Sequence, residues 1–119
     1  MKFMMFVCTD SEPETGVSDD CGPWVAANDA NGRRVLGSPL VSSKEALTVR
    51  VRNGELLVTE GPFAATQDVI VGFDILECAD SDEAIEVART HPLAQLGRLE
   101  LRPFASLEEL IARGDSSQS

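Results

Sequence analysis

The sequence predicts a ferredoxin-like α+β fold, in which helices cover one face of an antiparallel sheet and a β-hairpin is inserted. Three observations predict it. Hydrophobic periodicity gives the element order strand, helix, hairpin, strand, helix, strand. The length of 119 residues suits one domain with its own core. The segment from Phe3 to Cys8 is apolar at every position, which is typical of a central strand covered on both faces.

The first helix is predicted to begin near Cys21-Gly22-Pro23, since proline suits the first helical turn, and to end at Gly32. Residues 9–20, which are polar and acidic, form a predicted loop before it. Trp24 is expected to pack in the core or, alternatively, to line a pocket. Residues 35–41 are expected to include a short irregular strand.

Residues 46–60 give the clearest hairpin signal, because Asn53-Gly54 favours a type I′ turn between two alternating runs. A two-residue turn fixes the register of the two strands. Val49 then lies opposite Val58, and Leu47 lies opposite Glu60. The register therefore predicts that Glu60 leaves its strand on the apolar side of the hairpin.

A strand over residues 69–78 and a second helix follow the hairpin. Asp80 is the predicted N-cap of this helix, with Glu83 in a capping-box relation to it. Pro92 is predicted to end the helix, because the residue before a proline avoids the helical region.

The C-terminal part of the chain is predicted to contain one more strand and a short helix. Residues 97–102 alternate between apolar and charged side chains, and a capping box at Ser106 begins a helix that Gly114 stops. The resulting division is a domain over residues 1–104, a C-terminal helix over 105–114 and a disordered tail over 115–119.

Composition excludes several classes of function. A net charge of −10 argues against nucleic-acid binding, because an acidic surface repels phosphates. Three widely spaced cysteines fit neither a disulfide framework nor a zinc site, so reduced thiols and a cytoplasmic location are predicted. No segment is long and apolar enough to span a membrane, and no motif for a cofactor or metal is present, so neither is predicted.

The first strand also predicts a homodimer. Helices on one face of the sheet would leave one of two apolar rows exposed, either Met4, Phe6 and Cys8 or Phe3, Met5 and Val7. Packing of sheet against sheet between two copies would cover that row.

An ordered set of motifs resembles the YCII-related family, and within it the branch named for an Asp-Gly-Pro-Phe motif. The set is Glu60-Gly61-Pro62-Phe63, Gly72-Phe73, Asp82-Glu83-Ala84, His91-Pro92 and Leu99-Glu100-Leu101-Arg102-Pro103-Phe104. The resemblance covers residues 46–104 and the opening strand. It implies a dimeric α+β barrel of ferredoxin-like type, with a cleft near the Gly-Pro-Phe segment.

The resemblance implies function only broadly. One enzyme of the wider family is a dehydrochlorinase acting on a chlorinated hydroxyquinone, for which a His-Asp pair is the proposed apparatus. Members of the motif branch include proteins with regulatory labels. In this chain Glu60 replaces the motif's Asp, and Ala65 and Gln67 replace a charged pair. The predicted first helix has no histidine, so the His-Asp pair is not transferred to this chain.

Glu60 is the first candidate for chemistry. A carboxylate partly buried beside Phe63 would have a raised pKa and could act as a base or acid near neutrality. The alternative is that Glu60 accepts backbone N–H bonds and stabilises the turn. Gly61, Pro62, Phe63 and Phe73 are the expected lining of the ligand site.

His91, the only histidine, is the second candidate and a possible proton donor. A helix C-terminus favours its protonated form, which could then pair with a carboxylate. The favoured alternative is a solvent-facing residue at the helix end before a proline. Arg102 matches the family's strand-end arginine and could bind an anion, and Asp10 after the first strand could reach the same cleft.

Two functions remain open from sequence alone. The first is a small-molecule binding protein or cofactor-independent enzyme, with acid–base elimination on a small polar aromatic as the expected chemistry. The second is a non-catalytic regulatory or protein-interaction module. The distance between Glu60 and His91 is one observation that would separate them.

Overall fold

The computed structural model describes residues 1–64 and 66–114. The elements in chain order are β1 (Lys2–Thr9), α1 (Gly22–Ala30), β2 (Arg34–Pro39), a 3₁₀ turn (Ser43–Glu45), β3 (Leu47–Arg52), β4 (Glu55–Glu60), β5 (Ile70–Glu77), α2 (Ser81–Arg89), α3 (Leu93–Leu96), β6 (Gly97–Pro103) and α4 (Leu107–Arg113). The predicted disordered tail, 115–119, lies outside the described residues.

The main sheet has four strands in the order β2-β5-β1-β6, and every neighbouring pair is antiparallel. β1 is central, as its continuous apolar run predicted. This α+β arrangement confirms the predicted fold class and is compatible with the ferredoxin-like fold.

The core lies between one face of the sheet and helices α1 and α2. Strand pairing places Phe3, Met5 and Leu76 on this face, and each is at most 1% exposed. Val7 and Cys78 are also buried, and the helices supply Trp24, Ala84, Val87 and Ala88. The expectation that Trp24 packs in the core is therefore confirmed, and its indole Nε1 donates to the Val87 carbonyl at 2.9 Å.

The opposite face of the sheet is not covered by the described helices and is called the open face. Strand pairing places on it Met4, Phe6 and Cys8 of β1, Leu36 of β2, Ile75 of β5, and Arg98, Glu100 and Arg102 of β6. Its β1 side chains are only partly buried, whereas Phe3, Met5 and Val7 on the core face are buried. The structure thus has the two-sided apolar strand that the sequence predicted.

The hairpin β3–β4 has the predicted register, with Leu47 opposite Glu60 and Val49 opposite Val58. Asn53 and Gly54 both have positive φ, at 53° and 77°, as a type I′ turn requires. The hairpin is a separate two-stranded sheet that pairs with no strand of the main sheet.

The predicted caps of the C-terminal half are present. The Asp80 side chain accepts from the Glu83 N–H at 2.9 Å, and the Ser106 hydroxyl accepts from the Glu109 N–H at 3.1 Å. Gly114 ends α4 in the left-handed conformation. The short helix α3 was not predicted. The second helix ends at Arg89 rather than at Pro92, and Pro92 is the N-cap of α3.

Replacing Asp80 by alanine is expected to lower the free energy of unfolding by about 1 kcal/mol, because the Glu83 N–H at the start of α2 loses its acceptor. Urea unfolding followed by Trp24 fluorescence measures the change. Ser81→Ala, at the neighbouring exposed position, is the control and should change stability by less than half as much. Equal effects from the two variants would contradict a role for the cap.

No helix among residues 1–64 and 66–114 has the length and apolar character needed to cross a membrane.

Candidate functional site

A cavity of about 400 Å³ opens beside the core, between the start of α1, the β2 edge of the sheet and the start of α3. Its lining is mostly apolar and includes Val7, Val25, Pro39, Val71, Phe73 and Leu93. Its polar or ionisable side chains include Asp74 on β5, Arg34 on β2 and His91 before α3, beside Asp19, Cys21 and Ser38. An apolar hollow with a few placed polar groups is the usual form of a small-molecule site.

Asp74 is the buried acid of this cavity, whereas Asp19, which also lines it, is exposed. Asp74 is only 6% exposed, because β5 alternates and its side chain shares the core face with Leu76. The Arg34 Nε donates to Asp74 Oδ1 at 2.7 Å, and Arg34 Nη1 also reaches Asp29 Oδ1 at 3.0 Å. A buried carboxylate needs such a partner, since an unpaired charge in the interior is costly.

The strand register makes room for the Asp74 carboxylate. Gly37 of β2 lies directly opposite Asp74 in the ladder. A Cβ atom added to Gly37 would collide with Asp74 Oδ1 and would lie 2.7 Å from the Phe73 carbonyl oxygen. The carboxylate therefore occupies the space that any side chain at position 37 would need.

Burial raises the pKa of the Asp74 carboxyl above its usual value, although the hydrogen bond and charge of Arg34 act in the opposite direction. Among the described residues, Asp74 Oδ2 accepts no hydrogen bond, so this oxygen is available to a ligand. A carboxylate with a raised pKa is a stronger base than an ordinary one, and an available oxygen lets it accept a proton from a ligand.

His91 is buried, being 4% exposed, and its ring packs edge-on against Trp24 with centroids 4.6 Å apart. The Leu93 N–H donates to His91 Nδ1 at 3.0 Å, which leaves the proton of the neutral ring on Nε2. Burial lowers the pKa of His91 to about 4. The expectation of a solvent-facing histidine is therefore wrong. At neutral pH His91 is an uncharged ring that can donate a hydrogen bond from Nε2.

Cys21 adds a thiol at the mouth of the cavity. Burial raises its pKa, and the nearby carboxylates of Asp20, Asp74 and Asp19 raise it further. A thiol with a raised pKa is a poor nucleophile at neutral pH, since the thiolate is the reactive form. Cys21 is consequently a lining residue and is not given a catalytic role.

Glu60 lies apart from this cavity. It is exposed at the end of β4 and is not among the side chains that line the cavity with His91. The expectation that Glu60 is partly buried beside Phe63 is wrong for the described chain, because Phe63 is itself 91% exposed. The Gly61 N–H donates to the Ala46 carbonyl at 2.7 Å, and Thr48 Oγ1 donates to the Gly61 carbonyl at 2.8 Å, so backbone and hydroxyl bonds fix the turn after Glu60.

Of the other predicted lining residues, only Phe73 borders the same cavity as His91. Pro62 and Phe63 border a second, almost wholly apolar hollow of about 390 Å³ beside the 3₁₀ turn, and Gly61 precedes it in the chain. Phe63, Val41 and Leu40 leave at least half of their surface exposed around this hollow.

Asp10 and Arg102 do not reach the cavity lining either. Asp10 Oδ2 binds Arg98 at 2.7 Å, and that guanidinium together with the Glu12 N–H lowers the pKa of Asp10. Arg102 pairs with Glu100 at 2.6 Å and lies over the Phe6 ring on the open face. The two residues are thus tied to partners at β6.

Sequence reasoning missed Asp74 and Arg34. One signal for Asp74 was present, since it is the single charged residue between Ile70 and Leu76 in an otherwise apolar strand. A charge in such a strand needs a partner. The partner could not be named, because Arg34 is 40 residues away in sequence and the β2–β5 register was unknown.

Two comparisons relate this chain to known proteins. The YCII-related domain matches residues 1–108. An uncharacterised protein of Rhizobium meliloti (strain 1021) is 40% identical over 68 residues, a stretch that covers 56% of this chain and 55% of that protein. The matched stretch therefore spans about half the length of this relative.

Proposed function

This chain belongs to the YCII-related family, and we propose that it binds a small molecule in the Asp74 cavity and moves a proton there without a cofactor. The single observation that carries the proposal is the convergence of Asp74, Arg34 and His91 on one hollow with an apolar wall. Asp74 is then the base in place of Glu60, and His91 acts as a hydrogen-bond donor.

The chemistry that fits these groups is an acid–base elimination. Asp74 Oδ2 takes a proton from a carbon or hydroxyl of the ligand, the released electron pair forms a new double bond, and a leaving group departs with its own electron pair. His91 Nε2–H donates to the ligand oxygen on which negative charge develops. A neutral imidazole can do this without becoming charged, as the low pKa of His91 requires.

The size and lining of the cavity support a small aromatic ligand. Valine, leucine and proline side chains suit a ring, and about 400 Å³ is at the lower end of the usual range for small-molecule sites. Arg34 is held by both Asp74 and Asp29, so it positions the base and is less available to bind an anionic ligand.

The first test is native mass spectrometry of protein purified from its own host, which would reveal a retained small molecule. The second uses 1,4-dihydroxybenzenes with and without a halogen substituent, because the halogenated ones can lose HX through a keto tautomer to give a quinone without an oxidant. Ligand-observed NMR measures binding, and halide release measures turnover. Asp74→Asn is expected to keep the native Trp24 fluorescence and to lower halide release by about 100-fold or more, the usual loss when a general base is removed.

Glu60→Gln is the matched control, because it makes the same acid-to-amide change at an exposed site. It should leave binding and turnover unchanged. If Glu60→Gln removes activity and Asp74→Asn does not, the site lies at the Gly-Pro-Phe end and the cavity assignment fails. Absence of any binding by the aromatic panel and of any retained molecule would favour the non-catalytic interaction module.

We also propose that the chain lies in the branch named for the Asp-Gly-Pro-Phe motif. The support is the order of Glu60-Gly61-Pro62-Phe63 before Gly72-Phe73 and His91-Pro92. Glutamate in place of the motif's aspartate keeps the carboxylate.

A homodimer that buries the open face is a further part of the proposal. Partial exposure of Met4, Phe6 and Cys8 in the single chain supports it, since large apolar patches on monomers are uncommon. A cytoplasmic location is proposed from the three free cysteines, which suit a reducing compartment.

A further inference from the structure

The hairpin of residues 47–60 is an arm that stands apart from the body of the domain. Its two strands pair only with each other and belong to a sheet of their own. One side of the arm carries Leu47, Val49, Val51, Leu56 and Val58, and these five side chains are 55–67% exposed. An isolated two-stranded hairpin is marginally stable in water, so an exposed apolar side implies a missing cover.

The dimensions of the chain agree with a missing cover. The radius of gyration is 16.8 Å, whereas a compact domain of 119 residues has about 13.5 Å. The accessible surface is 8456 Å², against about 6,300 Å² for a typical monomeric protein of 12.8 kDa. The excess is about 2,000 Å², which is more than the roughly 800 Å² that one partner contributes to a standard interface.

Charge favours a second copy as the occupant. The chain has a net charge of −10, so two copies repel wherever their acidic surfaces meet. The arm carries two arginines, Arg50 and Arg52, and two glutamates, Glu55 and Glu60, and is therefore neutral. Its apolar side carries no charge except Glu60 at the base of the arm. A neutral, apolar arm is a surface through which such an acidic chain can contact another copy of itself.

We propose that the arm packs its apolar side against a second copy of this chain. The contact extends the proposed homodimer from the open face to the arm and is independent of the chemistry in the Asp74 cavity. By two-fold symmetry each copy contributes one arm, so the contact is made twice in the dimer.

The test compares dimer dissociation constants by analytical ultracentrifugation. The variant Val49→Thr with Val58→Thr keeps β-branched side chains and places two hydroxyls on the apolar side. It is expected to raise the dissociation constant at least tenfold. Leu57→Thr introduces the same residue type on the other side of the arm without changing its charge and should leave the constant within about twofold. Trp24 fluorescence verifies that the body stays folded, because Trp24 lies in the core away from the arm.

Hydrogen exchange of the wild-type arm provides a second readout that needs no variant. Amides of residues 55–60 should exchange more slowly as protein concentration rises through the dimer range. A dimer that the threonine pair leaves intact would confine the interface to the open face and overturn the proposal. A wild-type monomer at about 100 μM would also overturn it. In that monomer, slow exchange of the arm amides would mean that the arm packs on the main sheet of its own chain. Fast exchange would mean that the apolar side contacts a different protein or faces solvent.

Discussion

Between pH 6.5 and pH 4, His91 is expected to lower the free energy of unfolding of the wild-type chain by about 3 kcal/mol. Replacing His91 by asparagine should remove this loss. Burial lowers the pKa of His91 in the folded chain to about 4, whereas an unfolded histidine has its ordinary value of 6.5. The difference corresponds to about 3 kcal/mol at 1.36 kcal/mol for each pH unit.

The sign follows from proton uptake. Between pH 6.5 and pH 4 the unfolded chain holds a proton on His91 and the folded chain does not, so unfolding takes up one proton. Stability from the neutral ring is fully present above pH 6.5 and is lost as the pH falls towards 4. The free energy of unfolding therefore falls by about 1.4 kcal/mol per pH unit on account of this residue alone.

Asparagine is the informative replacement. Its side-chain oxygen can accept the Leu93 N–H that His91 Nδ1 accepts now, and it does not titrate. The lost contact with Trp24 lowers stability by an amount that does not depend on pH. Urea unfolding at half-unit steps from pH 4 to pH 7.5 measures both effects. Wild-type and variant curves that run parallel over this range would show that His91 is not buried as a neutral ring.

The hairpin could be predicted from sequence because its signals are local. Asn53-Gly54 sets the turn, and alternation on both sides sets the register, so the predicted pairs are those observed. Local signals do not indicate whether the apolar side of the hairpin faces the core of the domain or the solvent. Glu60 does leave β4 on that side, but the arm stands apart from the main sheet and the glutamate is exposed. Glu60 is therefore exposed even though it shares a face with apolar residues.

The site could not be predicted because its residues meet only through tertiary structure. Pro92 correctly indicated a break after α2, yet it also begins α3, and that extra turn holds the histidine ring against Trp24. Asp74 reaches Arg34 only when β2 pairs with β5 in a register interrupted between Arg34 and Leu36. Single-sequence patterns carry no information on such pairing between distant segments.

Replacing Gly37 by alanine is expected to lower the free energy of unfolding by about 3 kcal/mol, at the upper end of the usual cost of overpacking. The added Cβ would collide with Asp74 Oδ1 and would lie 2.7 Å from the Phe73 carbonyl oxygen. Asp74 cannot move freely, because Arg34 holds its Oδ1 at 2.7 Å. Gly72→Ala is the control, since its Cβ would meet nothing closer than 3.2 Å and should cost less.

A double-mutant cycle separates the carboxylate from the backbone as the cause. Asp74→Ala removes the carboxylate and leaves the Phe73 carbonyl to oppose the new methyl group. In that background Gly37→Ala should lower the free energy of unfolding by at least 1 kcal/mol less than it does in wild type. Equal costs in the two backgrounds would mean that the backbone alone excludes a side chain at position 37. A smaller loss of stability in the Asp74→Ala background would instead show that the Asp74 carboxylate occupies the space beside Gly37. The glycine in β2 would then be required for the proposed base to lie in the cavity wall.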